Sequence, residues 1–520
     1  MNSAVDSKAY PDWRELPDHI LGTIFGYLCE QDRYNASLVC HSWSHGFSSP
    51  ESWRRFTIDV TRMRKYRHKN RKKCYQSTGS LPLNMLIVIA RRVRFLEVIC
   101  PWANDDKYGS KGVSHRLSSA LGDLRYRGCQ LHTLSLNNFD RITSWRDSKA
   151  RLRVMKALKR FINSQRNLVA LDLSNNRFYP RELLMLIRAA TYCSATSVTS
   201  INLQASYCDT RFPIEEDQPF HHDHFNVHPN RINNEGMARR NFFLENQEDQ
   251  GLRRNWPMNL GILLSRFTCL RYLHLLLNIS MLQMDLFTNL PSTFRLLTLH
   301  AHRSELEFEE FNNVLNGNPL CDNNKWSTIT KRCPQIGIAI YTRSIVWYYP
   351  IYCILHENVP LRKIHIFTPR NLNNSLEIIG ICHHILDLNS NTLEDVCILV
   401  RFPLDDVLPK FFKNCRCLKY LNIQCKLKNP EIIQDFFWAL SRGKIRVSQV
   451  QLIIETSTKA HFQQFNSIKS DLMNSLIEEE DMIGKGIYGT RWWMKDKPIQ
   501  TIKFCVLRNP RNGYKRKQTH

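Results

Sequence analysis

The window Leu168-x-x-Leu171-x-Leu173-x-x-Asn176 returns further along as Leu270-x-x-Leu273-x-Leu275-x-x-Asn278. Apolar residues two apart fall on one face of a strand, so each window reads as a short strand with one greasy side. The triplet recurs without the Asn at Val93/Leu96/Val98, Leu131/Leu134/Leu136, Val198/Ile201/Leu203, Phe294/Leu297/Leu299 and Cys333/Ile336/Ile338. It continues at Leu361/Ile364/Ile366, Leu393/Val396/Ile398, Leu418/Leu421/Ile423 and Val447/Val450/Leu452, with Trp53/Phe56/Ile58 as a candidate first and Ile499/Ile502/Phe504 as a candidate last. Between triplets the period changes to that of a helix. Leu152, Met155, Leu158 and Ile162 share a face over 151–162; Pro180 opens a stretch carrying Leu183, Leu184 and Ile187; Pro430 opens one carrying Ile432, Ile433, Phe436, Phe437 and Leu440. A strand–helix unit of this size cannot bury its own apolar side. Repetition therefore predicts units stacked on one another.

A different pattern precedes the array. Ile20, Leu21, Ile24, Phe25 and Leu28 form one helical stripe; Ala36, Val39, Cys40, Trp43 and Phe47 form a second, with Asp32 as the expected N-cap between them. This hairpin is too short to cover so much apolar surface, and an uncovered patch of that kind marks a binding site. The order Leu16-Pro17, Ile20-Leu21, Ile24-Phe25, Tyr27-Leu28, Asp32-Arg33, Val39-Cys40, Trp43, Trp53 resembles the F-box over residues 11–56. One departure is Ser52, where many F-boxes carry Leu before the last Trp. The resemblance implies docking to a Skp-type adaptor, and through it to cullin and RING subunits of an SCF ubiquitin ligase. It places adaptor contacts at Leu16, Pro17, Ile20, Leu21, Ile24, Phe25, Leu28, Val39, Cys40 and Trp43. That reading requires Ile20, Ile24, Phe25 and Trp43 not all to be sealed inside the chain's own body.

The remainder is similar to F-box proteins with irregular leucine-rich repeats. The implied fold is α/β: a helical F-box, then over 57–507 a leucine-rich-repeat solenoid with parallel strands on the concave side and helices on the convex side. Residues 1–10 read as a disordered N-terminus. Insertions fall near 205–258, rich in Asn and Gln without periodicity, and near 456–498, which holds one amphipathic helix, the acidic run 478–481 and a glycine-rich turn.

The net charge of +25 is partly local: residues 62–73 carry eight basic side chains and the tail 508–520 five, neither with an acid. Both read as solvated segments, with nuclear import or an anionic partner as the sharper alternative. Nothing resembles a nucleic-acid-binding module. The 17 cysteines are scattered and odd in number, and the N-terminus lacks an apolar leader, so free thiols in the cytoplasm or nucleus are expected. The greasiest window, Leu81–Ala90, runs into Arg91-Arg92 and is too short to span a bilayer.

Several apparent motifs lack their context. Gly484-x-Gly486-x-x-Gly489 follows an acidic run and has no kinase catalytic loop downstream. His221, His222, His224 and His228 sit in an aperiodic stretch, and Cys415-x-Cys417 has no companions at metal spacing; Cys415 and Cys333 read instead as buried thiols at helix-to-strand junctions. No catalytic constellation stands out. The expectation is a non-enzymatic receptor subunit without cofactor, its alternatives being a repeat scaffold or a basic nuclear factor without ligase assembly. Residues between the leucines would line the concave wall: Arg271, Tyr272, His274, Arg362, Lys363, His365, Lys419, Tyr420, Asn422 and Lys503. Their basic and aromatic character suits an acidic or phosphorylated segment of a protein target.

Overall fold

Each of the thirteen triplet windows overlaps a strand of the computed structural model, which describes residues 13–59, 89–99, 110–138, 148–176, 178–204, 259–276, 287, 289–301, 323–343, 351, 354–368, 375–441, 447–456, 460, 463–468, 470 and 501–508. The stretches 1–10 and 205–258, the basic run 62–73, the tail beyond 508, the histidines at 221–228, the glycines at 484–489 and nearly all of 456–498 lie outside the described residues.

The chain divides into two compact units, Met1–Arg271 and Tyr272–His520. The first opens with three helices, α1 (Asp18–Tyr27), α2 (Glu30–Ser37) and α3 (His41–Ser48), and a 3-10 turn at Glu51–Trp53. Strands β1 (Arg55–Asp59), β2 (Phe95–Ile99), β3 (Thr133–Asn137), β4 (Ala170–Asp172) and β5 (Ser200–Asn202) follow, each parallel to the next. Helices α4 (Ser110–Tyr126), α5 (Ser148–Ile162) and α6 (Pro180–Cys193) lie between strands in sequence, as parallel pairing requires. Register explains the repeat: Phe56, Leu96, Leu134, Leu171 and Ile201 stand side by side, all buried, so one column of apolar side chains runs through the unit.

The consensus Asn has a definite task. Asn176 is fully buried, and its Nδ2 donates to the carbonyls of Leu136 at 2.6 Å and of Leu173 and Ser174 at 2.8 Å. It satisfies acceptors that the chain exposes on leaving β4 and ties that turn to β3. Similar side-chain bridges recur at the helix-to-strand turns: Gln165 Oε1 accepts from Leu131 N–H at 2.8 Å, and Ser194 Oγ donates to the Gln165 carbonyl at 2.5 Å.

The second unit holds β6 (Tyr272–Leu276), β7 (Leu296–Ala301), β8 (Gly337–Arg343), β9 (Leu361–Phe367), β10 (Asp395–Pro403), β11 (Tyr420–Lys426), β12 (Gln449–Thr456) and β13 (Thr501–Arg508), again parallel in sequence order. Helices α7 (Asn323–Arg332), α8 (Ser375–Asn389), α9 (Leu408–Asn414) and α10 (Glu431–Ser441) intervene. Ile340, Ile364, Val396, Leu421, Val450 and Ile502 share one register column, and the first five are buried. The architecture is that of leucine-rich repeats.

Three local expectations are corrected, and one strand irregularity lies outside them. Asp32 does not cap a helix; α2 begins earlier, with Cys29 as N-cap, and the second stripe splits at Cys40 into two helices. Leu152 is exposed, and Val154 and Phe161 join Met155, Leu158 and Ile162 in the core. In β8 the aligned pair is Ile338 and Ile340, beside Leu297 and Leu299, while Cys333 and Ile336 are buried in the preceding turn. Finally, the register slips between β8 and β9: Ile338 pairs with Leu361 but Ala339 with Lys363, leaving Arg362 as the extra residue of a bulge. A Cβ at position 337 would collide with the Arg362 side chain, so the bulge needs Gly337 opposite it.

Replacing Asn176 by Ala is expected to lower the unfolding free energy by about 2–3 kcal/mol, because three buried carbonyls lose their donor. Urea denaturation of the full chain reads this; a loss below about 0.5 kcal/mol would mean the turn finds other donors.

Candidate functional site

The N-terminal module closes its own core with part of its apolar stripe and leaves the rest outside. Leu21 and Phe25 are each 1% exposed, and Phe25 meets the Trp43 ring edge-on at 5.6 Å. Ile20 and Ile24 are 40% and 39% exposed on the opposite flank of α1, with Tyr27 continuing the same face one turn on. Leu38 and Val39 are exposed at the α2–α3 turn, as is Trp13 before α1. Pro17 is exposed, and Leu16, Leu28, Cys40 and Trp43 are half-buried. The ten residues that the F-box resemblance groups together are thus divided. Leu21 and Phe25 are core residues, because helical geometry turns them toward α3 when Ile20 and Ile24 turn away.

Two polar residues fasten the module. Arg33 is buried: its Nε donates to the Leu28 carbonyl at 2.9 Å, Nη2 to Gly26 at 3.2 Å, and Nη1 to Ser52 at 2.6 Å and Arg55 at 3.3 Å. Its guanidinium also lies over the Trp53 ring, 5.3 Å from the centroid. One side chain thereby joins the end of α1, the 3-10 turn and the start of β1. Ser52 is fully buried, and its Oγ donates to the Gly46 carbonyl at 2.6 Å. A Cβ on Gly46 would lie 2.6 Å from that of Leu21, so α1 and α3 approach more closely than larger residues allow. A serine rather than a leucine before Trp53 fits this tight corner, where it supplies a hydrogen bond.

Residues 13–59 match the F-box-like family model. The N-terminal module is an F-box-like domain. F-box/LRR-repeat protein 21 of Bos taurus and that of Mus musculus are each 43% identical to this chain over 49 residues, which is 9% of this chain and 11% of the relative. The Ovis aries protein of the same name is 39% identical over 49 residues. The matched part spans about a tenth of the length of these curated relatives. Among solved structures, the crystal structure of the TLR13–ssRNA13 complex aligns over 81% of this chain and 58% of that chain at 11% identity, with a TM-score of 0.24, too low to establish likeness. The F-box-like domain leads directly into the repeats: Trp53 is buried, its Nε1 donates to the Phe47 carbonyl at 2.7 Å, and β1 begins two residues later.

The residues expected to line a target-binding wall are gathered in part. Arg271 is exposed at the end of the first unit, its N–H donating to the Thr199 carbonyl at 2.8 Å. Tyr272 and His274 lie on β6, and Lys503 stands opposite Gln451 on β13. Arg362, Lys363 and His365 of β9 come together with Lys419 and Tyr420 across β10. What sequence reasoning omitted are the carboxylates between them. Glu394 binds Lys419 at 2.7 Å and Arg362 at 3.9 Å; Asp395 binds Lys363 at 3.3 Å and His365 Nε2 at 3.2 Å. The repeat itself carried the signal, since Leu361-Arg362-Lys363, Leu393-Glu394-Asp395 and Leu418-Lys419-Tyr420 occupy the same template positions on adjacent strands.

Beside this lattice runs a file of rings. His274 stacks on His300 at 5.9 Å, His300 on Tyr341 at 5.1 Å, and Tyr341 meets His365 at 4.4 Å. His300, Tyr341 and His365 are register neighbours, so strand spacing alone brings the rings together. Neither His300 nor Tyr341 figured among the expected wall residues. Cys415 is buried, and burial, with Cys417 beside it, pushes its thiol up to about 12; it is an inert core thiol.

Burial alone would raise the Asp395 carboxyl, but the hydrogen bond and charge of His365, together with Lys363, outweigh it and hold the group below its usual range. A depressed folded pKa stabilises above the unfolded value of about 3.9 and ceases to do so as pH falls through the folded value. Asp395→Asn should therefore cost about 1 kcal/mol at pH 7, a figure reduced for the solvent that reaches Lys363. The gap between wild type and variant should close as urea denaturation is repeated from pH 5 to about pH 2; a gap constant across that range would remove the ion pair as its cause.

Proposed function

We propose that this chain is the substrate-recognition subunit of an SCF-type ubiquitin ligase, with its module at 11–56 docking a Skp-type adaptor and its repeats over 57–507 holding a protein target. The observation that carries the reading is the exposed apolar face of the F-box-like domain. Its core is already closed by Leu21, Phe25 and Trp53, so Ile20, Ile24, Tyr27, Leu38 and Val39 are not needed inside. Apolar side chains left outside a closed core are what a partner covers. Pro17, Leu16, Leu28, Cys40 and Trp43 flank that face and complete the proposed contact. Curated relatives named F-box/LRR-repeat proteins share this segment, which supports the assignment to such a ligase.

The chain acts by placement rather than chemistry. Other subunits carry the cullin, the RING component and the conjugating enzyme; this one raises the target's effective concentration beside them. Its target surface is the mixed-charge, ring-lined face of β6–β11, matched to an acidic or phosphorylated segment. No described helix is long and apolar enough to cross a membrane, and work in the cytoplasm or nucleus accords with the role. A scaffold whose helices merely cap the first repeat accounts for the inward ties of Arg33 and Trp53 but gives the outer face of α1 nothing to do.

Ile20→Asp combined with Ile24→Asp should weaken capture of a purified Skp-type adaptor by about 100-fold or more while lowering the thermal transition far less than loss of a core residue does, since both side chains already stand partly in solvent. Leu21→Ala should instead lower stability by about 2–4 kcal/mol. Undiminished adaptor capture by the double aspartate variant would end this reading.

A further inference from the structure

The segments that lead into β2 to β6 share a composition. Residues 91–94, 125–132, 163–169, 193–199 and 265–271 hold eight arginines and no lysine, aspartate or glutamate. Arg91, Arg92 and Arg94 precede β2, Arg125 and Arg127 precede β3, Arg166 precedes β4, and Arg266 and Arg271 precede β6. They are scattered along the sequence, so no basic motif shows there; the repeat brings them to one edge. Backbone hydrogen bonds trace that edge from turn to turn. The N–H of Arg94 donates to the Arg54 carbonyl at 2.9 Å, that of His132 to Arg94 at 2.7 Å and that of Val169 to His132 at 2.7 Å. Thr199 then donates to Val169, and Arg271 to Thr199, each at 2.8 Å. The whole edge lies within the first compact unit.

These arginines differ from the bases of β9–β11, which carboxylates answer. All but Arg92 and Arg94 are exposed, and among the described residues no carboxylate pairs with any of the eight. Arg94 Nη1 donates to the Gln130 carbonyl at 2.9 Å and Arg91 Nε to that of Arg127 at 3.4 Å, which ties neighbouring turns together. Like charges gathered along one edge repel, and a chain of anions laid along it relieves that repulsion.

The same edge carries rings and a cleft. Tyr126 and Tyr192 stand at the C-terminal ends of α4 and α6, 86% and 79% exposed, and the Arg127 guanidinium lies 5.9 Å from the Tyr126 ring centroid. A polar cleft of about 420 Å³ is lined by Gln130, Asn163, Ser164, Arg166, Asn167 and Cys193, the last adjoining Tyr192 in sequence. Arginine grips phosphate through paired N–H groups and also stacks on flat rings, which lysine does not. Exposed tyrosine faces accept bases of any sequence. A duplex hides its base faces, and an acidic peptide has none to offer.

We infer that the helix-to-strand edge of the first unit binds a single-stranded nucleic acid, its phosphates along the arginines and its bases against Tyr126 and Tyr192. The adaptor face on α1 and the β9–β11 face take no part, so this surface stands or falls apart from the ligase reading.

The test is fluorescence anisotropy of the full chain with labelled 15-nucleotide oligo(U) and oligo(dT) and a 15-base-pair duplex, between 50 and 300 mM KCl. Binding of either single strand about 10-fold tighter than the duplex supports the inference, and the ratio of the two strands shows which sugar is preferred. Arg125→Gln, Arg127→Gln and Arg166→Gln together should weaken single-strand binding about 30-fold. They should also flatten the slope of log affinity against log salt by about 2, at about 0.7 per lost phosphate contact. Tyr126→Ala with Tyr192→Ala should weaken it about 10-fold at an unchanged slope. Lys515→Gln, Arg516→Gln and Lys517→Gln remove the same charge from the basic tail and should cost less than about 2-fold. Circular dichroism melting confirms that each variant is folded, as substitution at exposed side chains predicts. A tail variant that loses as much as the edge variant would overturn the inference. So would equal affinity for the duplex, displacement of the strand by poly-glutamate at matched charge, or a tyrosine variant that binds as wild type does.

Discussion

Lateral register is the constraint on which everything else stands. In a parallel sheet, a residue on one strand has a fixed neighbour on the next, and a slip by one residue would turn every apolar side chain to the wrong face. The columns from Phe56 to Ile201 in one unit and from Ile340 to Ile502 in the other meet that constraint. Once the apolar columns are locked, the residues between them are locked too. The contacts of His300, Tyr341 and His365 and the Lys363–Asp395 pair follow from register, whereas Arg362 stands at a bulge and Glu394 and Lys419 in the turns just before their strands.

The two surfaces of interest are built on opposite principles. The F-box-like face is what remains after a small helical module has closed its core, and it is apolar because Ile20, Ile24, Tyr27, Leu38 and Val39 stay outside that core. The β9–β11 face is polar, and its charges are largely answered within the sheet.

The fold class was legible because its signal is repetition. Any single Leu-x-x-Leu-x-Leu window occurs by chance, yet thirteen of them with helical stretches between admit few architectures. Legibility ended where neighbouring elements compete. Leu21 and Ile20 are adjacent and equally apolar, and only the approach of α3 through Gly46 sends one inward and leaves the other out. Arg33 reads as a surface charge until four carbonyls are seen to converge on it. The triplet at Cys333 is sound as a pattern but sits two residues early, because its preceding turn buries Cys333 and Ile336 before the strand begins.

The sequence by itself determined the strand–helix repeat, the helical module that precedes it and the residue types available on each strand, since periodicity and composition are local properties of the chain. Tertiary structure alone decided which apolar residues of the module stay outside, where Arg362 bulges, and that Glu394 and Asp395 stand between the bases of their neighbours. Those outcomes depend on distances across strands and helices far apart in the chain, and a distance of that kind is fixed only when the packed elements meet.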